Sequence, residues 1–252
     1  MTYKLFKDIY VRTGKHERSD RRIAGECARN YVDIKTKADD VIVDLGANIG
    51  GFYRMIRNQE FLDYIAVEPD RENIKVIKEN SEGDRRLIVA PFAVSMSNQK
   101  MVTFYQTDSK NSACSGTVTP VSNRSMSMRK VRQQVPNINI VTFLTEFQPT
   151  ILKVDIEGAE NNWLAESKGI PENMGCLPRI MFLELHGGDM VQEHIKNGVI
   201  DNLREYYDIS GDVNCGFVDI NKPKLTIDGL PEVGEYGNGA LFGIDLRLEL
   251  KK

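Results

Sequence analysis

Apolar residues come in short runs along this chain, and the runs alternate with segments of helical spacing. Residues 41–43 open the pattern as a strand. The run ends in Asp44, a glycine-rich turn follows, and residues 52–58 continue a first helix, with Asp63 marking its end. Residues 64–70 (YIAVEPD) read as a second strand ending in acids and stopped by Pro69. RENIKVIKENSE then makes a charged helix with Ile74, Val76 and Ile77 on its apolar side, and Asp70 is placed to cap it. Residues 87–95 are a third apolar strand, interrupted by Pro91. Strands at this spacing suit repeated βα units and a parallel sheet.

The alternation then breaks. MVTFYQT, residues 101–107, predicts an extra strand, and the Ser-, Thr-, Asn- and Gly-rich residues 111–127 predict a loop. Another extended stretch precedes a short helix near residues 143–147. Residues 151–169 restore strand, turn and helix; 180–188 form the next strand, 190–207 are helical, and 217–220 and 240–250 are the last strand candidates. No repeat is visible. The expected organisation is a single domain over residues 1–252. It has a polar, partly helical lead-in at 1–38, an insertion on the sheet at 98–148 and a long turn-rich loop at 221–239.

The chemistry starts in the first turn, Asp44-Leu45-Gly46-Ala47-Asn48-Ile49-Gly50. Gly46 permits a sharp turn and Gly50 a close approach of helix and strand, while the free amides at the helix start can hold a carboxylate. Asp44 lies where a dinucleotide would put its pyrophosphate. Two like charges there repel by roughly 4 kcal/mol at 4 Å with an effective dielectric near 20. A ligand with an ammonium group, a carboxylate and no phosphate suits Asp44 better, and S-adenosylmethionine is such a ligand. Glu68 ends the second strand, where a carboxylate accepts both ribose hydroxyls of an adenosine. Either signal alone fits a plain βα turn or a surface acid; together they point to a nucleoside cofactor.

Two further constellations lie at predicted strand ends. Lys153 and Asp155 alternate onto one side of their strand, followed by Glu157 and Glu160. A structural ion pair is the plain reading for Lys153, and stabilisation of a helix start the preferred one for Glu160. Glu184 and His186 share a face of the next strand and are placed to join Asp155. His186 is a candidate base, with a hydrogen-bonded strand-end histidine as the equal alternative.

Composition limits the partners. The net charge of −3 gives no basic excess to attract nucleic acid, and the runs KHERSDRR and RSMSMRKVRQQ carry few aromatics. Cys27, Cys114, Cys176 and Cys215 make no CxxC pair, and His16, His186 and His194 make no ligand spacing, so neither a disulfide framework, a zinc site nor a histidine-rich metal site is expected. Scattered cysteines, no apolar core of signal-peptide length and no run long enough to span a bilayer point to the cytoplasm.

The phrases VIVDLGANIG, AVEPD and ILKVDIEGAE, in this order, resemble the FkbM family of S-adenosylmethionine-dependent methyltransferases over about residues 41–188. The resemblance implies an α/β, Rossmann-like class I methyltransferase fold. Its sheet has seven mostly parallel strands, the last antiparallel, with helices on both faces. It also implies O-methylation of hydroxyls on sugars, glycans or natural products. Asp44, Gly46, Asn48 and Gly50 would then line the methionine end of the cofactor and Glu68 would hold the ribose. Ala93 would lie near the adenine and Asp155 close to the methyl donor. Asp155, Glu157 or His186 is expected to take the acceptor's proton, with Glu184 orienting the site. A divalent metal in place of the base ranks lower, because the resemblance does not require it. An RNA ribose methyltransferase is the first rival, a catalytically silent protein of the same fold the second, and a nicotinamide oxidoreductase a distant third. The sequence does not fix the acceptor or the oligomeric state.

Overall fold

A computed structural model of the chain describes residues 2–31, 33–107, 129–186, 188–215 and 241–252. Its centre is a seven-stranded sheet built from β3 (Val41–Leu45), β4 (Asp63–Val67), β5 (Leu87–Ala90), β9 (Ile151–Val154), β10 (Ile180–His186), β11 (Tyr207–Cys215) and β12 (Leu241–Leu250). The order is β11-β12-β10-β9-β3-β4-β5. β12 runs antiparallel to both its neighbours, and the remaining paired strands run parallel. Strand order reverses between β3 and β9, which makes that junction the switch point where open α/β sheets place ligands.

Strand alternation divides the core into two layers. Val43, Leu45, Leu152, Val154, Leu183 and Leu185 face one layer, which Trp163 and Leu164 of α5 (Glu160–Ser167) complete. Ile42, Ile151, Ile180 and Phe182 face the other, under Phe52 and Tyr53 of α2 (Gly51–Ile56). On this second face each strand turns from apolar to charged towards its carboxyl end. Ile42 gives way to Asp44, Ile151 to Lys153, and Phe182 to Glu184 and His186. The site is therefore the polar end of a face whose other end is core.

Several expectations change. The predicted lead-in holds a hairpin, β1 (Tyr3–Phe6) with β2 (Ile9–Arg12), before α1 (Glu17–Asn30). Arg12 and Asp20 form a fully buried pair there, with Nη2 2.7 Å from Oδ1. Ile9, Val11, Ile23 and Cys27 join Ile49 and Val76 in one cluster, which fixes the lead-in to α2 and α3 (Arg71–Ser81). Asp63 opens β4 rather than ending a helix, and α2 stops at Ile56. Asp70 caps α3 as expected, accepting from the Glu72 amide at 2.8 Å.

The run at 87–95 is two strands in two sheets. Pro91 ends β5, and β6 (Ala93–Ser95) pairs with β8 (Arg129–Asn139), which pairs in turn with β7 (Met101–Thr107). Asn139 caps α4 (Ile140–Phe147) and leads back to the main sheet. The expected loop at 111–127, the strand candidate at 217–220 and the long loop at 221–239 lie outside the described residues. Among the described residues no helix is long and apolar enough to cross a membrane.

Candidate active site

The turn after β3 is tied to both neighbouring strands. The amides of Gly46 and Ala47 both donate to the Val67 carbonyl at 3.0 Å, and the Gly50 amide donates to Ala47 at 2.8 Å. Close approach falls at Gly46 rather than Gly50. With φ at +81°, a Cβ on Gly46 would lie 1.8 Å from the Asp155 carbonyl oxygen. A Cβ on Gly50 would meet Ile77 at an ordinary 3.5 Å, so glycine there serves its φ of +77°.

Asp44 is fully buried, and the cation it meets belongs to the chain. Lys153 Nζ lies 3.0 Å from Asp44 Oδ1 and 3.4 Å from Asp155 Oδ2, and it donates to the Gly46 carbonyl at 3.1 Å. The Tyr64 hydroxyl donates to Asp44 Oδ2 at 2.6 Å. Burial pulls the Lys153 pKa down, but the carboxylates of Asp44 and Asp155 outweigh it and hold the ammonium charged. The ion-pair reading of Lys153 thus describes its contacts.

Glu68 lies across the turn. Its carboxylate accepts from the Asn48 and Asp70 amides, each at 2.8 Å. Burial, helped by the Asp70 charge, pushes its pKa up to about 8. Asn48 holds φ at +51°, and its side-chain oxygen is buried with no hydrogen-bond partner. An orphaned acceptor beside an acid suits a ligand that brings donors, such as an ammonium group or ribose hydroxyls. From β7, Gln106 donates to Asp70 at 2.6 Å, so the small sheet reaches this rim. Ala93 packs with Phe104 and Val135 in the small sheet.

The second cluster centres on His186, at the end of β10. Its Nδ1 lies 2.9 Å from Glu160 Oε1, and its amide donates to the same oxygen at 3.1 Å. Its Nε2 lies 3.3 Å from Glu184, 3.8 Å from Glu157 and 3.9 Å from Asp155. Glu160 is therefore the buried partner of the histidine, beyond the helix-start role expected for it. Burial lowers the His186 pKa, yet Glu160 and Glu157 overcome it and hold the imidazole protonated well above its usual range. A ring that keeps its proton is poorly suited to act as a base. Asp155 is raised as well: burial and the Glu184 charge push its pKa up to about 6.

Three residues the sequence left unmarked support the cluster. Asp245 stands directly opposite Glu184 across β12 and β10, and burial with the Glu184 charge raises its pKa. Asn161 donates to the His186 carbonyl at 2.8 Å, and its Oδ1 meets His194 Nε2 at 3.0 Å. The spacing of Glu184 and His186 marked β10, whereas Asp245 acquires its neighbours through the register of a strand about sixty residues later.

Strand order, the single antiparallel strand and a glycine turn at the switch point define the class I methyltransferase fold. The model of the FkbM methyltransferase domain matches residues 44–209, and the chain belongs to that family. Among solved structures it is similar to the FkbM methyltransferase of Methylobacillus flagellatus KT, with 14% identity and a TM-score of 0.45. That match covers 86% of this chain and 45% of the other, so the chain spans under half of that relative's length. It is also similar to a precorrin-6y C5,15-methyltransferase from Geobacter metallireducens GS-15, with 9% identity, a TM-score of 0.42, and coverage of 96% and 95% of the two chains. A putative RNA methyltransferase from Pyrococcus horikoshii gives 14% identity and a TM-score of 0.41, over 93% of this chain and 86% of that one. No curated protein matches the chain.

Proposed function

We propose that this chain is an S-adenosylmethionine-dependent O-methyltransferase acting on a hydroxyl of a sugar, glycan or natural product. One observation carries the reading: the nucleoside-type turn and the carboxylate cluster adjoin through Lys153, which touches Gly46, Asp44 and Asp155 together. A methyl donor held at the turn would then face groups able to take a proton.

Glu68 would hold the ribose through its free lone pairs, and the Asn48 side-chain oxygen would accept from the ammonium group. Gly46, Ala47 and Gly50 shape the cradle, while Asp44 acts through Lys153, keeping the turn against β9. S-adenosylmethionine, when bound, supplies a sulfonium methyl group for in-line displacement. Alignment is the larger part of such catalysis, and a hydroxyl nucleophile gains further from a positioned base. Asp155, Glu157 and Glu184 are the candidates for that base. Protonated His186, fixed by Glu160, orients their carboxylates. We place acceptor choice in residues 98–148 and 221–239, treat the chain as one methyltransferase domain, and place it in the cytoplasm, where the free buried Cys27 and Cys176 remain reduced.

The test is a labelled-methyl assay across sugars, glycolipids, small hydroxylated natural products and RNA, with products read by mass. Methyl ethers on a sugar or small hydroxylated molecule are expected. Transfer to RNA alone would replace this reading with ribose methylation. Calorimetry showing no S-adenosylmethionine binding would identify a silent member of the fold.

A further inference from the structure

The His186 cluster has the form of a metal centre as well as of a base. Two carboxylates and one imidazole converge from adjacent strands: Asp155 after β9, with Glu184 and His186 on β10. One ligand atom from each lies within 4.8 Å of the others. For metal–ligand bonds of about 2.1 Å, neighbouring ligand atoms stand roughly 3 Å apart and opposite ones roughly 4.2 Å. His186 Nε2 is 3.3 Å from Glu184 Oε1 and 3.9 Å from Asp155 Oδ1, inside that interval.

Two independent features point the same way. The first is the orientation of the histidine. Glu160 is fully buried and bonds both Nδ1 and the backbone amide of His186, so the ring is clamped with Nε2 aimed at the two carboxylates. A carboxylate on the far nitrogen of a ligating histidine is the usual outer arrangement of protein metal sites. The second is sheet register. Glu184 and Asp245 stand directly opposite each other on β10 and β12. Like charges in that relation destabilise a sheet unless a cation lies between or beside them. The ammonium of Lys153 is already shared between Asp44 and Asp155, and the imidazole of His186, 3.3 Å from Glu184, holds the place a metal ion would take.

We propose that Asp155, Glu184 and His186 bind one divalent cation, which displaces the proton on His186 Nε2 to solvent, with Glu160 orienting the histidine and Asp245 adding an outer carboxylate. The mixed oxygen and nitrogen donors suit manganese or a similar borderline-hard ion. The site goes beyond the proposed function and stands whether or not the chain transfers methyl groups.

The experiment titrates the full chain, stripped with a chelator, with manganese(II), and follows free ion by electron paramagnetic resonance. Saturation at one ion per chain is expected. Asp155→Asn and His186→Gln should each weaken binding at least tenfold, and Glu160→Gln about 10- to 100-fold. Glu172→Gln, at an exposed acid outside the cluster, should leave binding unchanged. The bound ion should also show nitrogen coupling in pulsed spectra, lost in His186→Gln; this readout stands even where a variant folds poorly. No binding to the wild type at millimolar manganese, or bound ion without nitrogen coupling, overturns the site. Cofactor affinity measured with chelator present separates the two proposals. Cofactor binding without ion binding removes only the metal site, and ion binding without cofactor binding removes only the methyltransferase reading.

Discussion

Gly46 and Gly83 offer a matched pair of perturbations. Both hold φ near +80°, but a Cβ on Gly83 would meet nothing within 4 Å, whereas one on Gly46 would lie 1.8 Å from Asp155 O and 2.8 Å from its carbonyl carbon. Alanine at either position takes on the left-handed penalty, roughly 1–2 kcal/mol. At Gly83 little else follows. At Gly46 the obstacle is backbone, held by β3 on one side and β10 on the other, so relief requires a shift of more than about 1 Å at the end of β9. Forced displacement of packed structure adds roughly 1–3 kcal/mol. Gly46→Ala should therefore cost about 2–5 kcal/mol against about 1–2 for Gly83→Ala. Any gain from restricting the unfolded chain is common to both and cancels in the comparison. Urea unfolding followed by circular dichroism measures the difference as a shift in midpoint at constant slope. In melting temperature each kcal/mol is worth about 2–4 °C for a chain of this size. Equal midpoints for the two variants would refute the close contact between turn and strand.

Other predictions test the same frame. Lys153→Met strands the buried Asp44 without its cation and should destabilise by about 3–5 kcal/mol, while Asp44→Asn in the same chain recovers much of the loss; denaturation of both variants measures it. Glu68 is protonated below about pH 8 in the free protein, and ribose hydroxyls favour its ionised form. S-adenosylmethionine affinity should therefore fall by up to about tenfold per pH unit below 8, a dependence that calorimetry should find absent in Glu68→Ala. Arg12→Met leaves buried Asp20 unpaired and should release the hairpin, seen as faster hydrogen exchange in β1 and β2 before the sheet is affected.

The parallel sheet and its turn were legible because fully covered strands must be apolar and a glycine turn has few substitutes. The hairpin was not. Its turn residues, Lys7 and Asp8, take positive φ with no glycine or asparagine to announce it. The acids at strand ends were legible one strand at a time. Their meeting was not, because the approach of Asp245 to Glu184 depends on register, and the hold of Glu160 on His186 depends on how α5 packs. Asp44 shows the limit from the other side. Its position in the turn suggested a ligand's ammonium group, whereas the cation beside it in the structure is Lys153, far along the chain.

The step at Pro91 has a bearing on how this protein could be altered. The chain leaves the main sheet there and returns at Asn139, and the two ends of the excursion are stapled together. Asn139 Nδ2 donates to the Met96 carbonyl at 3.0 Å, and Asn137 Nδ2 to the carbonyls of Ser97 and Gln99. What lies between is a cassette with fixed endpoints. A segment from a relative, joined inside those asparagines, would enter and leave at the same places while the strands beneath keep their register. Among the described residues, the tie from Gln106 to Asp70 is one such a graft must recreate, because there the cassette touches the rim of the cradle.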